Sequence, residues 1–229
     1  MTILVVGNSV SQPPGPNVPA FPERLAARVG GRWRLETIVN SGATIEQMEP
    51  DVMAALARSP ARLVLQVGIN ECAPRPLNWS ERERLGRLRP VWLRHLIIRI
   101  IHVLRPTIIR VRSLQQFTPL PRFVASASRV VSAAAAKGIP VLILPITTVT
   151  TVAEMRTPYT NREIDQYNEG LAGLAAPLVR VVTQPELFGA ATADELCVTP
   201  DSVHLGADAH ARIAEFIAEW LDAPRLAAS

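Results

Sequence analysis

Apolar residues follow two rhythms along the chain. Short runs at Ile3 to Val6, Leu35 to Val39, Leu63 to Val67, Val141 to Leu144 and Val179 to Val182 are each bounded by Gly, Pro, Asn or other polar residues, the pattern of buried strands. Between them, Phe21 to Val29, Ile45 to Ala57, Phe123 to Ala136, Ile164 to Leu174 and Ala207 to Leu221 carry apolar residues at three- and four-residue spacing, which predicts amphipathic helices. Gly138 and Pro140 mark the passage from the fourth helix to the fourth strand, one as C-cap and the other as strand entry. Strands alternating with helices predict βαβ units, hence a parallel sheet with helices on both faces and ligands at the carboxyl ends of the strands. A length of 229 residues fits one such domain, 1–229, with Pro224 to Ser229 expected to fray.

Composition narrows the class. With 48% hydrophobic and 19% charged residues the chain has the profile of a folded globular protein, not a disordered one. Ile3 to Gly7 is too short for the central region of a signal peptide, and the run from Leu96 to Leu104 is broken by Arg99 and His102, so no membrane-spanning segment is expected. Two isolated cysteines, Cys72 and Cys197, are expected to be free thiols, which points to a reducing cytoplasm. Charge is the less even property. The net charge is +4, yet eight arginines and no acid lie between residues 84 and 112, so that stretch is +8 and the remainder −4.

If ligands bind at the carboxyl ends of the strands, the residues just beyond each strand carry the chemistry. Gly7-Asn8-Ser9 comes after the first, Asn40-Ser41-Gly42-Ala43-Thr44 after the second and Gly68-Ile69-Asn70-Glu71 after the third. Each alone reads as turn chemistry, with Ser9, Ser41 or Thr44 capping a helix. Together they bring to one sheet edge a hydroxyl nucleophile at Ser9, a backbone N–H at Gly42 that no side chain obstructs, and an amide donor at Asn70. Before the last helix stands Asp201-Ser202-Val203-His204. Residues three apart on a turn can face each other, so Asp201 can fix the tautomer of His204 and leave the other ring nitrogen to take a proton from Ser9. The bland alternative for this pair is a capping Asp beside a half-buried His.

These four blocks, in this order, resemble the SGNH/GDSL hydrolases. The resemblance implies a three-layer αβα, flavodoxin-like fold with a central parallel five-stranded sheet. It assigns Ser9 as nucleophile, Gly42 and Asn70 as oxyanion donors, and Asp201 with His204 as the rest of a triad, with no cofactor and no metal. Two departures from the family pattern are visible: Asn8 stands where G-D-S has Asp, and Glu71 where G-x-N-D has Asp. Neither removes a triad atom, so both are expected to alter pocket shape. His95, His102 and His210 lack acidic or cysteine partners at ligand spacing. Cys72 reads as a small buried hydrophobe.

The expected reaction is cleavage of a small-molecule ester or thioester through an acyl-enzyme. An acyltransferase using the same triad, and a non-catalytic binding module, are the alternatives. Segment 84–112 contributes to this choice. On a helical projection from Val91 to Arg105, a stripe of Arg94, His95, Arg99, His102 and Arg105 divides an otherwise apolar surface. It reads first as a core helix whose arginines reach out to solvent. It reads second as a docking face for an anionic carrier, such as acyl carrier protein or coenzyme A. Nucleic acid is not expected, because aromatics make up only 5% of the chain and none is interleaved with the arginines as a stacking motif.

Overall fold

A computed structural model describes residues 1–15, 17–112, 115–197 and 201–222. Five strands, β1 (Thr2–Gly7), β2 (Arg34–Val39), β3 (Arg62–Gln66), β4 (Val141–Ile143) and β5 (Val179–Val181), stand in the order β2-β1-β3-β4-β5, every neighbouring pair parallel. The helices are α1 (Phe21–Val29), α2 (Ile45–Ala57), α3 (Ile69–Cys72), α4 (Trp79–Arg87), α5 (Val91–Val111) and α6 (Leu120–Ala135). The remainder are α7 (Thr151–Arg156), α8 (Thr160–Ala172), α9 (Gln184–Phe188), α10 (Ala193–Leu196) and α11 (Ala207–Asp222).

Strand order fixes where the helices go. The step from β1 to β2 runs one way across the sheet and every later step runs the other way. Right-handed crossovers therefore put α1 on one face and α2, α6 and α8 on the opposite one. The packing agrees, with α1 on α11, α2 on α6 and α6 on α8. The three layers bury the central strands completely: Ile3 to Val6 and Leu63 to Leu65 are 0% exposed. The reversal of direction at β1 opens a crevice beyond the carboxyl ends of β1 and β3, the place where such sheets bind ligands. The register levels the three strands that matter, since Gly7 pairs with both Val39 and Gln66. The chain thus leaves β1, β2 and β3 at one height.

The expected strands and the five expected helices are present, with shifts of a few residues at their ends. α6 begins at Leu120, where Pro121 fits a first turn whose N–H groups have no helical partner anyway, and α8 begins at Thr160. The short helices α3, α7, α9 and α10 have too few turns to show periodicity, and α4 buries no residue and so carries no apolar face. The segment 84–112 departs most from expectation. α5 continues through Pro106 to Val111, because the helical bond that proline removes belongs to the carbonyl of an exposed residue, His102. It is also no core helix, since Ile109 is its only buried residue and Trp92 and Val103 are 66% and 75% exposed. Among the described residues no helix is long and apolar enough to cross a membrane, and Cys72 and Cys197 are both free and buried. The terminal segment 224–229 lies outside the described residues.

Candidate active site

Ser9 opens a single 3-10 turn, Ser9–Ser11, directly beyond β1. Asn8, not Ser9, caps it: its Oδ1 accepts the Val10 N–H at 3.1 Å. The cap thus falls to the residue that departs from the family pattern, and the Ser9 hydroxyl is left for other work. Ser11 donates to Gln66 Oε1 at 3.0 Å, tying the turn to the end of β3.

The loop after β2 is held from two sides. Thr44 caps α2, accepting the Gln47 N–H at 3.4 Å, while Gln47 Oε1 accepts the Thr44 N–H at 3.0 Å. Asn70 Nδ2 donates to the Ala43 carbonyl at 2.9 Å, which joins the loop of Gly42 to the loop of Asn70. Gly42 has φ +74, a conformation that suits glycine, and lies exposed at the rim. Among the described residues the backbone N–H groups of Ser9 and Gly42 have no acceptor. Asn70 spends one of its two amide hydrogens on Ala43 and keeps the second.

Glu71 is the hidden fastener. Fully buried, it accepts the Ile45 N–H at 2.6 Å and the Gly68 N–H at 3.1 Å, linking the start of α2 to the turn that carries Asn70. Burial pushes its carboxyl up to about 7, against the opposing pull of those backbone donors. The turn itself demands glycine, because Gly68 has φ +121 and a Cβ there would run into Ile146.

Asp201 and His204 face each other, as their spacing allows. Asp201 Oδ1 accepts the backbone N–H groups of Val203 and His204, each at 3.0 Å, so it does cap the turn. Its Oδ2 meets His204 Nδ1, so it also orients the ring. Ser202, at φ +63, accepts the Thr150 N–H at 3.3 Å and anchors the turn to the chain beyond β4.

Ser9, Asn70, Asp201 and His204 line one cavity of ≈ 210 Å³. Ser9, Asp201 and His204 also line an adjoining groove of ≈ 290 Å³ with Gln12, Pro13, Pro14 and Ser41. Gly42 lines neither, while its neighbour Ser41 lines the groove. The direct Ser9–His204 hydrogen bond is not among the contacts of Ser9, and such bonds commonly tighten only with substrate in place. Arg75, Thr157 and Thr160 also line the cavity and carry no signal in the sequence, and Arg105 joins them from the basic stripe. Arg75 arrives from the loop after α3 and donates to the Asn70 carbonyl at 3.3 Å, while Arg105 arrives from α5. Among the described residues no cluster of three or more His, Cys, Asp or Glu could hold a metal ion. Cys72 donates weakly to the Ile69 carbonyl inside the core, where burial pushes its thiol up.

Similarity to known proteins bears on this geometry. No protein of curated function matches the chain. Among solved structures, TesA is 20% identical with a TM-score of 0.59 over 97% of this chain and 98% of its own. The acetyl xylan esterase AlAXEase is 14% identical with a TM-score of 0.66 over 96% and 100%. An acetylxylan esterase from Geobacillus stearothermophilus is 12% identical with a TM-score of 0.63 over 100% and 97%. At these identities the likeness is one of fold. The family match is made on sequence: the GDSL-like Lipase/Acylhydrolase model matches residues 5–212, which contain all four motif blocks. The chain belongs to the GDSL-like lipase/acylhydrolase family, a family of SGNH-type serine hydrolases.

Proposed function

We propose that this protein is a serine esterase that cleaves a small ester through an acyl-enzyme on Ser9, with 1–229 acting as one domain. The observation that carries the reading is that Ser9 shares a cavity with an aspartate-held histidine, at the sheet edge where β1 and β3 part. Ser9 Oγ attacks the carbonyl carbon while His204 Nε2 takes its proton, and the Asp201 carboxylate steadies the imidazolium that forms. The carbonyl oxygen becomes an oxyanion facing the Ser9 and Gly42 N–H groups and the second Asn70 amide hydrogen. His204 returns the proton to the departing alcohol, and water then repeats the sequence to release the acid. A cavity of ≈ 210 Å³ favours a short acyl group, and two proteins of this fold are acetylxylan esterases.

The test is covalent as well as kinetic. A fluorophosphonate probe is expected to label Ser9, and Ser9→Ala to abolish both labelling and hydrolysis of p-nitrophenyl acetate. Equal turnover by the two proteins would refute the proposal. A second reading, acyl transfer to an alcohol or amine, is favoured by the two openings that meet at Ser9 and His204, one able to admit donor and the other acceptor. Mass spectrometry of the acyl-enzyme offered water and candidate acceptors separates the two, and preferential capture by water excludes transfer.

A further inference from the structure

Beside the site lies a larger cavity of ≈ 380 Å³ between α4, α5, the chain that follows α3 and the chain that precedes α6. Its walls hold Arg75, Arg82, Arg94, Arg105 and His102, with no carboxylate among the residues that line it. The acids of this region have partners of their own: Glu81 with Arg112, Glu83 with Arg87 at 3.8 Å, Glu71 with the backbone of Ile45 and Gly68, and Asp201, which lines the Ser9 cavity with Arg75 and Arg105, with His204. Among the described residues none of the four cavity arginines pairs with a carboxylate.

Crowding like charges without a counter-ion is unfavourable, and here the fold imposes it. The Arg75 guanidinium sits 4.4 Å from the centre of the Phe117 ring and that of Arg82 sits 5.0 Å from it, so one aromatic ring holds two cations in place. Trp79 meets Phe117 edge-on at 5.3 Å and holds the ring. Arg94 is fixed by its bond to the Gly86 carbonyl at 3.0 Å. The Nε–H groups of Arg75 and Arg105 are both buried, with no acceptor among the described residues. Burial and the neighbouring charges of Arg105 and Arg82 push the Arg75 guanidinium down to about 10. Buried guanidinium donors and crowded cations favour an anionic ligand.

We infer that this cavity binds a phosphate group of the substrate, as a phosphate monoester or diphosphate, while the ester of the same molecule reaches Ser9. The link is Arg75 and Arg105, which line this cavity and the Ser9 cavity alike. A carboxylate would neutralise one of four guanidinium groups, whereas phosphate carries up to two charges and accepts bidentate bonds from several arginines at once. The inference rests on the esterase reading for its chemistry, though not for the existence of the anion site.

Two measurements test it. Calorimetry on the full chain at fixed ionic strength should show pyrophosphate binding that is weakened about tenfold or more by Arg82→Gln with Arg94→Gln, and unaffected by Arg99→Gln on the exposed side of α5. Retained thermal unfolding of the variants shows that folding is not the cause. Binding that ignores the paired variant, or succinate binding as tightly as pyrophosphate, overturns the assignment. Kinetics on acetylated glucose and acetylated glucose 6-phosphate should give a kcat/KM ratio of about ten or more in favour of the phosphorylated ester, collapsing towards one in the paired variant. If both esters are cleaved with a ratio of one, the phosphate site is wrong and the esterase stands. If neither is cleaved and Ser9 stays unlabelled while pyrophosphate binds in an arginine-dependent way, the site stands and the esterase reading fails.

Discussion

The central strands and α5 are both rich in apolar residues, yet they use that character in opposite ways. Ile3 to Val6 and Leu63 to Leu65 vanish into the core, whereas α5 buries Ile109 alone and shows Trp92, Leu96, Ile100 and Val103 to solvent. The difference lies in what each element has to lean on. The strands are covered by helices on both faces, while among the larger contacts α5 touches only α7. Apolar residues in the strands hold the fold together. Those on the outward side of α5 do not, and its inward side supplies arginines to two cavities.

That contrast can be broken by experiment. The largest effect belongs to the chemistry and not to either region's packing: Ser9→Ala should lower kcat/KM for p-nitrophenyl acetate by about a thousandfold or more, with unfolding unchanged. Next in size is the packing comparison. Leu65→Ala in β3 should cost about 2–5 kcal/mol in urea unfolding, whereas Val103→Ala on α5 should stay within roughly 0.5 kcal/mol. Similar losses at the two positions would mean that α5 is part of the core after all.

Titration sharpens the same contrast, because two groups that couple folding to pH, His210 and Glu71, are buried in the scaffold. His210 is fully buried, accepts the Phe21 N–H at 3.2 Å on Nδ1, and is pushed by burial down to about 4. An unfolded imidazole binds its proton near 6.5, so between these values the unfolded chain holds the extra proton and acid favours unfolding. The stability it contributes is present above about 6.5 and falls by roughly 3 kcal/mol on acidification to about 4. Glu71 acts in the opposite sense: its carboxyl, raised from 4.5 to about 7, makes the folded chain the better proton binder, and its contribution fades as pH rises through that interval. Unfolding of wild type and His210→Gln from pH 7 to 4 should therefore converge as the pH falls, and parallel curves would refute the assignment. A smaller effect than at Leu65 is expected at the cap of α2, where Thr44→Ala should cost about 1 kcal/mol.

How much of the molecule is legible in its sequence differs between the same two regions. β1 to β5 can be read because a strand covered on both faces is apolar throughout, which needs no knowledge of its neighbours. Ser9, Asn70, Asp201 and His204 can be read because each comes after a strand or precedes the last helix. Gly42 belongs to the loop its motif indicates, but stands at its rim and not in the cavity. The orientation of α5 cannot be read. Leu93, Ile97 and Ile101 on its inner side are as apolar as Trp92, Leu96 and Val103 on its outer side, so the pattern holds no preference between them. Arg75 and Arg105 are hidden for a related reason, since a basic residue in a sequence shows its charge but not whether that charge points to water or to a pocket.

Glu71 carries one more implication. Its two carboxylate oxygens reach from the first turn of α2 to the turn after β3, and Asn70 spans the same gap through Ala43. An aspartate, one methylene shorter, would have to draw the loops together or release one of its two donors. The separation between the Gly42 and Asn70 loops is therefore set by the length of a buried side chain that lines neither cavity beside Ser9.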